Sequence, residues 1–293
     1  MDGIKTKASK SVFRAAWLEY VKWVADPRML ILPVLMIFIY SLAIEPLTAN
    51  AQVMGERLNL FEPYVAVMNS PVVILILPLT FMALTADFPR IDTNTVFIIS
   101  RMGRTRWLCS QLMKLAMMAF SYLLAVFAGA VIPVMLTAEA STKWSRVVTG
   151  FAEMYPELSG NYGAALIPKN LYYQFPVLGA AALCFLYVFL YLIIIGLVLL
   201  TFTVWKRRTA GFVLCGLTVS LGAATFAISS GLQWIFPMSN ALIWVHKTTV
   251  LRQGIYPMAA SVAYLIAVPV VLAVLCFFGV KRFNYDNITE VVF

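Results

Sequence analysis

Histidine is almost missing: His246 is the only one in 293 residues. A paired-histidine metal motif needs two, so that chemistry is excluded, and a Ser–His–Asp arrangement has one weakly placed candidate with nothing to support it. No GxxxxGK[ST] segment occurs, so the chain has no phosphate-cradling loop and is expected not to hydrolyse ATP itself. Cysteine is sparse. Cys109, Cys184, Cys215 and Cys276 lie in or near apolar segments without CxxC spacing, which argues against a metal centre or a disulfide framework. Charge is scarce as well, at 12%, against about 25% in a typical soluble domain. What is abundant is apolar: 62% of residues, with a mean hydropathy of +0.87. One water-soluble core of this size cannot hide that excess. An ordinary cytosolic enzyme, a disordered chain and a secreted disulfide scaffold are therefore excluded, and a polytopic all-α membrane protein is expected.

Six apolar runs are visible, near 29–44, 64–86, 112–136, 175–204, 210–236 and 258–280. Most exceed the ~20 residues that cross ~30 Å of hydrocarbon. The first is short, and its basic flank is expected to snorkel. No charged residue falls in the middle of any run, so the spans are expected to hold no buried base or carboxylate. The bases are uneven between the intervening loops. Sixteen of the 22 Lys and Arg fall in the N-terminal segment, residues 87–114, the 206–208 turn and the C-terminal tail; six fall on the other side. The positive-inside rule then puts both termini in the cytoplasm. The net charge of +9 is read as attraction to anionic headgroups, not as a nucleic-acid footprint. All seven tryptophans lie at or just outside run ends, where indoles prefer the interface. The layout is a single transmembrane domain: a cytoplasmic segment over 1–28, a six-helix bundle over 29–280 and a cytoplasmic tail over 281–293. No cleavable signal peptide is visible.

Two polar-flanked segments are not spans. Phe13, Ala16, Trp17, Tyr20, Val21 and Val24 form one stripe at helical spacing, with Arg14 and Lys22 off it. The Asp26-Pro27-Arg28 break follows. This predicts an interfacial helix lying on the cytoplasmic leaflet, set against a simple extension of the first span. Residues 87–111 are too polar to cross. Asp92, Thr93 or Asn94 can cap a short helix carrying Val96, Phe97, Ile98 and Ile99, and Gly103 can end it. Its apolar face calls for a partner. The alternative is a solvated basic loop.

Small residues mark the fifth run. Gly211, Gly216, Gly222 and Gly231 would let backbones approach closely, either for packing within the chain or at a subunit interface or pathway. Prolines interrupt the second run (Pro71, Pro78), the third (Pro133) and the sixth (Pro269). The stretch between Pro237 and Pro257 is too short to span and is expected to dip in as a re-entrant element, with His246 as a polar surface residue. The external segment 137–174 is rich in tyrosine (Tyr155, Tyr162, Tyr172, Tyr173). Asn287-Ile288-Thr289 is a formal glycosylation sequon on the side read as cytoplasmic.

A basic interfacial helix, six spans, two cytoplasmic ends and a structured loop after span two together resemble the membrane subunit of an ABC transporter of the ABC-2 (type V exporter-like) permease class. In that likeness Asp87 is the acidic residue closing span two. Thr95, Phe97, Ile98 and Ile99 lie on the coupling helix, and Arg101, Gly103, Arg104 and Arg106 form a basic patch leading to Lys114. The stripe containing Phe13, Trp17, Tyr20 and Val24 is the connecting helix, and the Pro237–Pro257 stretch is an extracellular gate. Asp92, Asn94 and Met102 stand where the family often has Glu, Gly and Pro. The resemblance implies two ABC ATPase subunits that bind ATP and Mg, a second membrane subunit (identical or different), contact with membrane lipid and a place in the plasma (inner) membrane. It implies export or extraction of an amphipathic substrate: a peptide, a lipid-like molecule or a drug. This chain itself holds no cofactor and is no enzyme on that reading.

Two other classes remain open. A stand-alone secondary transporter or channel would need no ATPase, although ion-coupled carriers usually place an ionisable group on the path, and only broken helices avoid this. An intramembrane enzyme would need paired polar catalytic groups that the spans lack; a structural membrane protein would need none.

Overall fold

The computed structural model describes residues 2–91, 93–247 and 254–282, with the backbone alone for 2–10, 93, 94 and 96. Among the described residues every regular element is helical; the only β-type contacts are the isolated bridges Asn59–Glu139 and Lys247–Gly254. The expected cap Asp92, Arg252, the tail beyond Arg282 and Asn287 lie outside the described residues.

The first helix, α1 (Asp2–Val24), is longer than its apolar stripe and lies against a later helix, Arg104–Val131. Asp26 then accepts a bond from the Arg28 N–H and Pro27 takes the first helical position, so a new helix starts at once. That helix, α2, runs as Pro27–Met54, 28 residues in all. The run 29–44 is therefore not a short span. Glu45, Thr48, Asn50 and Gln52 continue the helix in spite of their polarity, and Gly55 ends it at φ +65°. A π-helical stretch, Tyr40–Ile44, precedes Pro46. Pro46 has no N–H for the carbonyl four residues back, and the wider turn absorbs the defect.

The second run is not one straight span. It forms α3 (Glu62–Asn69) and α4 (Pro71–Leu84), bent by 80° at Ser70. Ser70 is extended because it precedes a proline. Pro78 lies within α4 without ending it. At 14 residues α4 alone reaches about 21 Å, less than a bilayer core.

The short helix α5 (Thr93–Met102) forms where it was expected. It is separated from α6 (Arg104–Val131) by Gly103 at φ +85°, ψ 154°, a conformation suited to glycine alone. Pro133 sits in the closing turn of α6, Ile132–Val134, and does not interrupt it. Next come the amphipathic α7 (Arg146–Met154), then α8 (Val177–Val204), α9 (Arg208–Ala227) and α10 (Met258–Lys281), the last continuing through Pro269. Among the described residues five helices (α2, α6, α8, α9 and α10) are long and apolar enough to cross a membrane, or six spans if the bent α3–α4 pair counts as one. This is the architecture of a multi-pass helical membrane protein.

At the centre is α8, packed on α3, α6, α9 and α10. Its Tyr187, Tyr191, Leu192 and Leu200 are buried. In lipid, close approach replaces the hydrophobic effect as the main source of helix packing. Gly196 makes this approach: a Cβ there would lie 2.1 Å from Leu115 Cδ1. By contrast α9 and α10 turn Leu217, Leu221, Val270 and Phe278 outward. Several run-end tryptophans also act as staples between elements. The indole N–H groups of Trp23, Trp144 and Trp244 donate to the carbonyls of Leu84, Phe175 and Asn69 at 2.7–3.1 Å.

Candidate functional site

The expected coupling residues gather at the end of the bundle where α1, the foot of α2 and the first turns of α6 and α9 meet, here named the basic end. Asp87 follows α4 and is gripped by two arginines, Arg28 from α2 and Arg208 from α9, each on a separate carboxylate oxygen. Arg208 also donates to the Ala86 carbonyl at 2.7 Å. Partial burial pushes the Asp87 carboxyl up, but the two guanidinium groups outweigh it and hold the group below the usual carboxylate range. Three chain segments therefore converge on one side chain. The family resemblance pointed to Asp87, but the sequence held no sign of Arg28 or Arg208 as its partners, because they lie 59 and 121 residues away.

Downstream, α5 divides its residues between two directions. Thr95 (4% exposed) and Ile99 (2%) face the chain's own core, and Ile98 packs at its edge. Phe97 is 64% exposed on the other side, and Arg101 is exposed too. The hydrophobic face is thus half satisfied internally, and Phe97 is the unpartnered remainder. Arg104, beyond the Gly103 break, donates to the Lys281 carbonyl at 2.9 Å and ties the start of α6 to the end of α10. Lys114 is buried in α6, 3.5 Å from Glu19 of α1. This corrects the expectation that the spans hold no buried base.

The α1 stripe splits as well. Phe13, Trp17 and Val24 are exposed, with Phe13 and Trp17 stacked at 6.3 Å between ring centres. Tyr20 and Trp23 turn in against the core, and Ala16 is fully buried. One side of α1 packs on α6 and the other is left apolar and open.

The four glycines do not form one surface. Gly211 and Gly222 are used inside the chain: a Cβ would lie 2.5 Å from Phe202 Cβ at the first and 3.2 Å from Phe236 Cβ at the second. Gly216 faces open space. Gly231 is not on the span at all, since α9 ends at Ala227 and Gly231 opens a separate 3₁₀ turn, Gly231–Ile235.

At the opposite end the polar groups are buried. Glu62 has no exposed surface; it accepts from the Asn59 N–H (2.8 Å), the Ser145 N–H (2.6 Å) and the Ser145 hydroxyl (2.8 Å). Asn59 donates to the carbonyls of Ser141 and Lys143. Together they fasten segment 137–174 onto the bundle. His246 is not a surface residue. It is fully buried, with Nδ1 donating toward the carbonyls of Leu242 and Ile243 and Nε2 facing the Ser261 hydroxyl at 2.8 Å. Asn240 Oδ1 also lies 2.8 Å from the Ser261 hydroxyl, so the one hydroxyl proton serves either this oxygen or Nε2. Burial pushes the His246 imidazole below its ordinary range, against the pull of the two carbonyls. The sequence carried no signal for this cluster, because its members come from three separate elements, Pro237–Ala241, Ile243–His246 and α10. Next to it, a cavity of about 200 Å³ opens at the α3–α4 bend, lined by Asn69, Ser70, Tyr162 and Trp244. Among the described residues no group of His, Cys, Asp and Glu is placed to hold a metal ion.

Comparison with models of known families, with curated proteins and with solved structures finds no match to this chain.

Proposed function

We propose that this chain is the membrane-spanning permease subunit of an ATP-driven exporter of the ABC-2 class, moving or extracting an amphipathic substrate. One observation carries the reading. A short helix stands at the basic end, anchored by Thr95 and Ile99, with Phe97 bare and its neighbours linked to three spans through Asp87 and Arg104. An ATPase subunit pressing on Phe97 would move α5 as a lever. The displacement would pass through the Asp87 joint to α2 and α9 and through Arg104 to α10. In this reading the basic end is cytoplasmic, the membrane is the plasma (inner) membrane, two ATPase subunits bind ATP and Mg, and a second membrane subunit completes the pathway. The exposed faces of α9 and α10 are where that subunit or lipid would lie.

The test is co-purification from native membranes in mild detergent, with an ATPase sought among the bound proteins, comparing the parent with Phe97→Asp. Phe97 is exposed, so the variant should fold normally and lose the ATPase, or bind it without stimulated hydrolysis. An ATPase that stays fully bound and fully coupled overturns the reading.

The second reading, a stand-alone carrier or channel, rests on the bend at Ser70 and its cavity, since broken helices can supply carbonyls to an ion. Uphill solute movement by the pure chain in vesicles, driven by an ion gradient alone, would favour it over the first.

A further inference from the structure

Glu19, Lys22, Arg28, Arg90 and Lys114 line a small cleft at the basic end, between α1, the start of α2, the turn after α4 and α6. Its free volume is about 40 Å³. One water needs roughly 10–15 Å³ by this kind of measure, so the cleft takes a group larger than one water and smaller than a sugar.

The charges around it do not balance. The carboxylates are already engaged. Glu19 meets Lys22 at 3.0 Å and Lys114 at 3.5 Å. Asp26 accepts from the Arg28 backbone, and Asp87 is held by Arg28 and Arg208. One buried cation is left short of acceptors, beside an exposed one with no ion pair of its own among the described residues. Arg90 forms no ion pair among the described residues. Lys114 is 5% exposed and has three N–H donors, but among the described residues its hydrogen-bond acceptor is Glu19, at the long limit of 3.5 Å, with the Phe88 ring 5.5 Å away on another side. An ammonium withdrawn from water and short of acceptors is unfavourable unless another acceptor enters the site. Lys22 and Arg90 line the same cleft as Lys114, which concentrates positive charge there.

We propose that this cleft binds the phosphate of an anionic lipid headgroup, with Arg90 and Lys114 as its principal donors. A phosphate supplies several acceptor oxygens and negative charge in a group of the right size. A lipid is favoured over a free anion by what surrounds the cleft. From Arg28 the outer face of α2 continues as Leu30 (73% exposed), Val34, Ile37 and Phe38, an apolar strip for an acyl chain. The open α1 stripe of Phe13, Trp17 and Val24 adjoins the same end of the bundle. The inference uses no ATPase partner and stands or falls apart from the transport reading.

The test uses the full chain, delipidated in detergent, with thermal melting and native mass spectrometry as readouts. Phosphatidylglycerol, phosphatidylcholine and inorganic phosphate are titrated separately. Phosphatidylglycerol should raise the melting temperature and remain bound, with phosphatidylcholine weaker by about fivefold or more, the scale of one basic residue at an anionic surface. Arg90→Gln should weaken the phosphatidylglycerol response by a similar factor, as should Lys114→Met if that variant folds. Arg146→Gln, at the opposite end, should leave it intact. Equal responses to the two lipids, or no change in Arg90→Gln, overturn the site. A response to inorganic phosphate as strong as that to phosphatidylglycerol, and equally dependent on Arg90, overturns the lipid assignment.

Discussion

At the far end of the bundle Glu62, with no exposed surface, takes three short hydrogen bonds from Asn59 and Ser145; at the basic end Asp87 stands nearly half exposed between two arginines. Both are single carboxylates that join separate segments. They differ in dielectric surroundings. The bonds to Glu62 are sheltered from water and salt, and each partner left behind would be unsatisfied. The contacts of Asp87 are screened and exchange readily with solvent. A closed, fixed cap at one end and a joint that can be remade at the other is the mechanical layout a lever needs. The placement of α5 agrees with it, since this helix carries its large unpartnered side chain, Phe97, at the basic end.

The comparison predicts its largest effect at Glu62. Glu62→Ala strands two N–H groups and a hydroxyl in a buried place, so it should destabilise the chain by roughly 3 kcal/mol or more. Melting in detergent would read this directly, and protease cutting within 137–174 should rise with it. A shift below about 1 kcal/mol would mean that water replaces the carboxylate, and that the far end is not closed.

The ends should also separate in pH. His246, at the far end, is held below its ordinary value of 6.5. The unfolded chain therefore takes up a proton that the folded chain refuses, and stability contributed by the neutral imidazole is lost as pH falls below about 6.5. One proton limits the slope to about 1.4 kcal/mol per pH unit. Asp87 is held below 3.8, so its share is present above the unfolded value and lost only as pH falls through its lowered folded value. Melting between pH 7 and 5 should thus weaken in the parent and flatten in His246→Asn, while Asp87→Asn should leave that slope unchanged. A slope in that range that follows Asp87 instead of His246 would reverse the assignment.

Much of this layout was legible in the sequence, and the reasons for the exceptions are physical. Local signals held. Gly103 ends α5 because no other residue readily accepts φ +85° there, and Asp26-Pro27 restarts the chain as α2 because a capping carboxylate precedes a proline. Hydropathy misjudged the ends of runs: α2 continues through Glu45 to Met54 because helical hydrogen bonding does not depend on the side chain being apolar. It also could not tell a kink from a passenger proline. Pro71 bends its run by 80° while Pro78 and Pro269 ride inside continuous helices. The site was half visible. The short helix bearing Phe97 was expected because an apolar run stands out in a basic loop, whereas Asp87 was singled out by the family resemblance alone. Arg28 and Arg208 as partners of Asp87, the pairing of Lys114 with Glu19 and the His246–Ser261–Asn240 cluster were not legible, because pairing across tens of residues leaves no periodic trace. The small-residue signal in α9 divides: Gly211 and Gly222 make room for Phe202 and Phe236, while Gly216 faces open space and Gly231 lies beyond the helix.

The smallest effect, and the one that most sharpens the contrast, is expected at Asp87 itself. Asp87→Asn keeps the shape and removes the charge. Exposed ion pairs contribute within about 1 kcal/mol, so global melting should barely move. The change should appear locally. In the parent, amide exchange over residues 85–91 should quicken as salt is raised toward 1 M, where screening shortens to about 3 Å. In Asp87→Asn it should already be fast and should ignore salt. Exchange over 59–62 should respond to neither, since those bonds are buried and Glu62 has no charged partner among the described residues to be screened from. If ATPase coupling is lost in Asp87→Asn while Phe97 still binds the ATPase, the two residues act in series, with Phe97 making the contact and Asp87 carrying the displacement into the spans. If instead Asp87→Asn destabilises the whole chain as strongly as Glu62→Ala, both ends are rigid, and the basic end has no joint through which a partner could act.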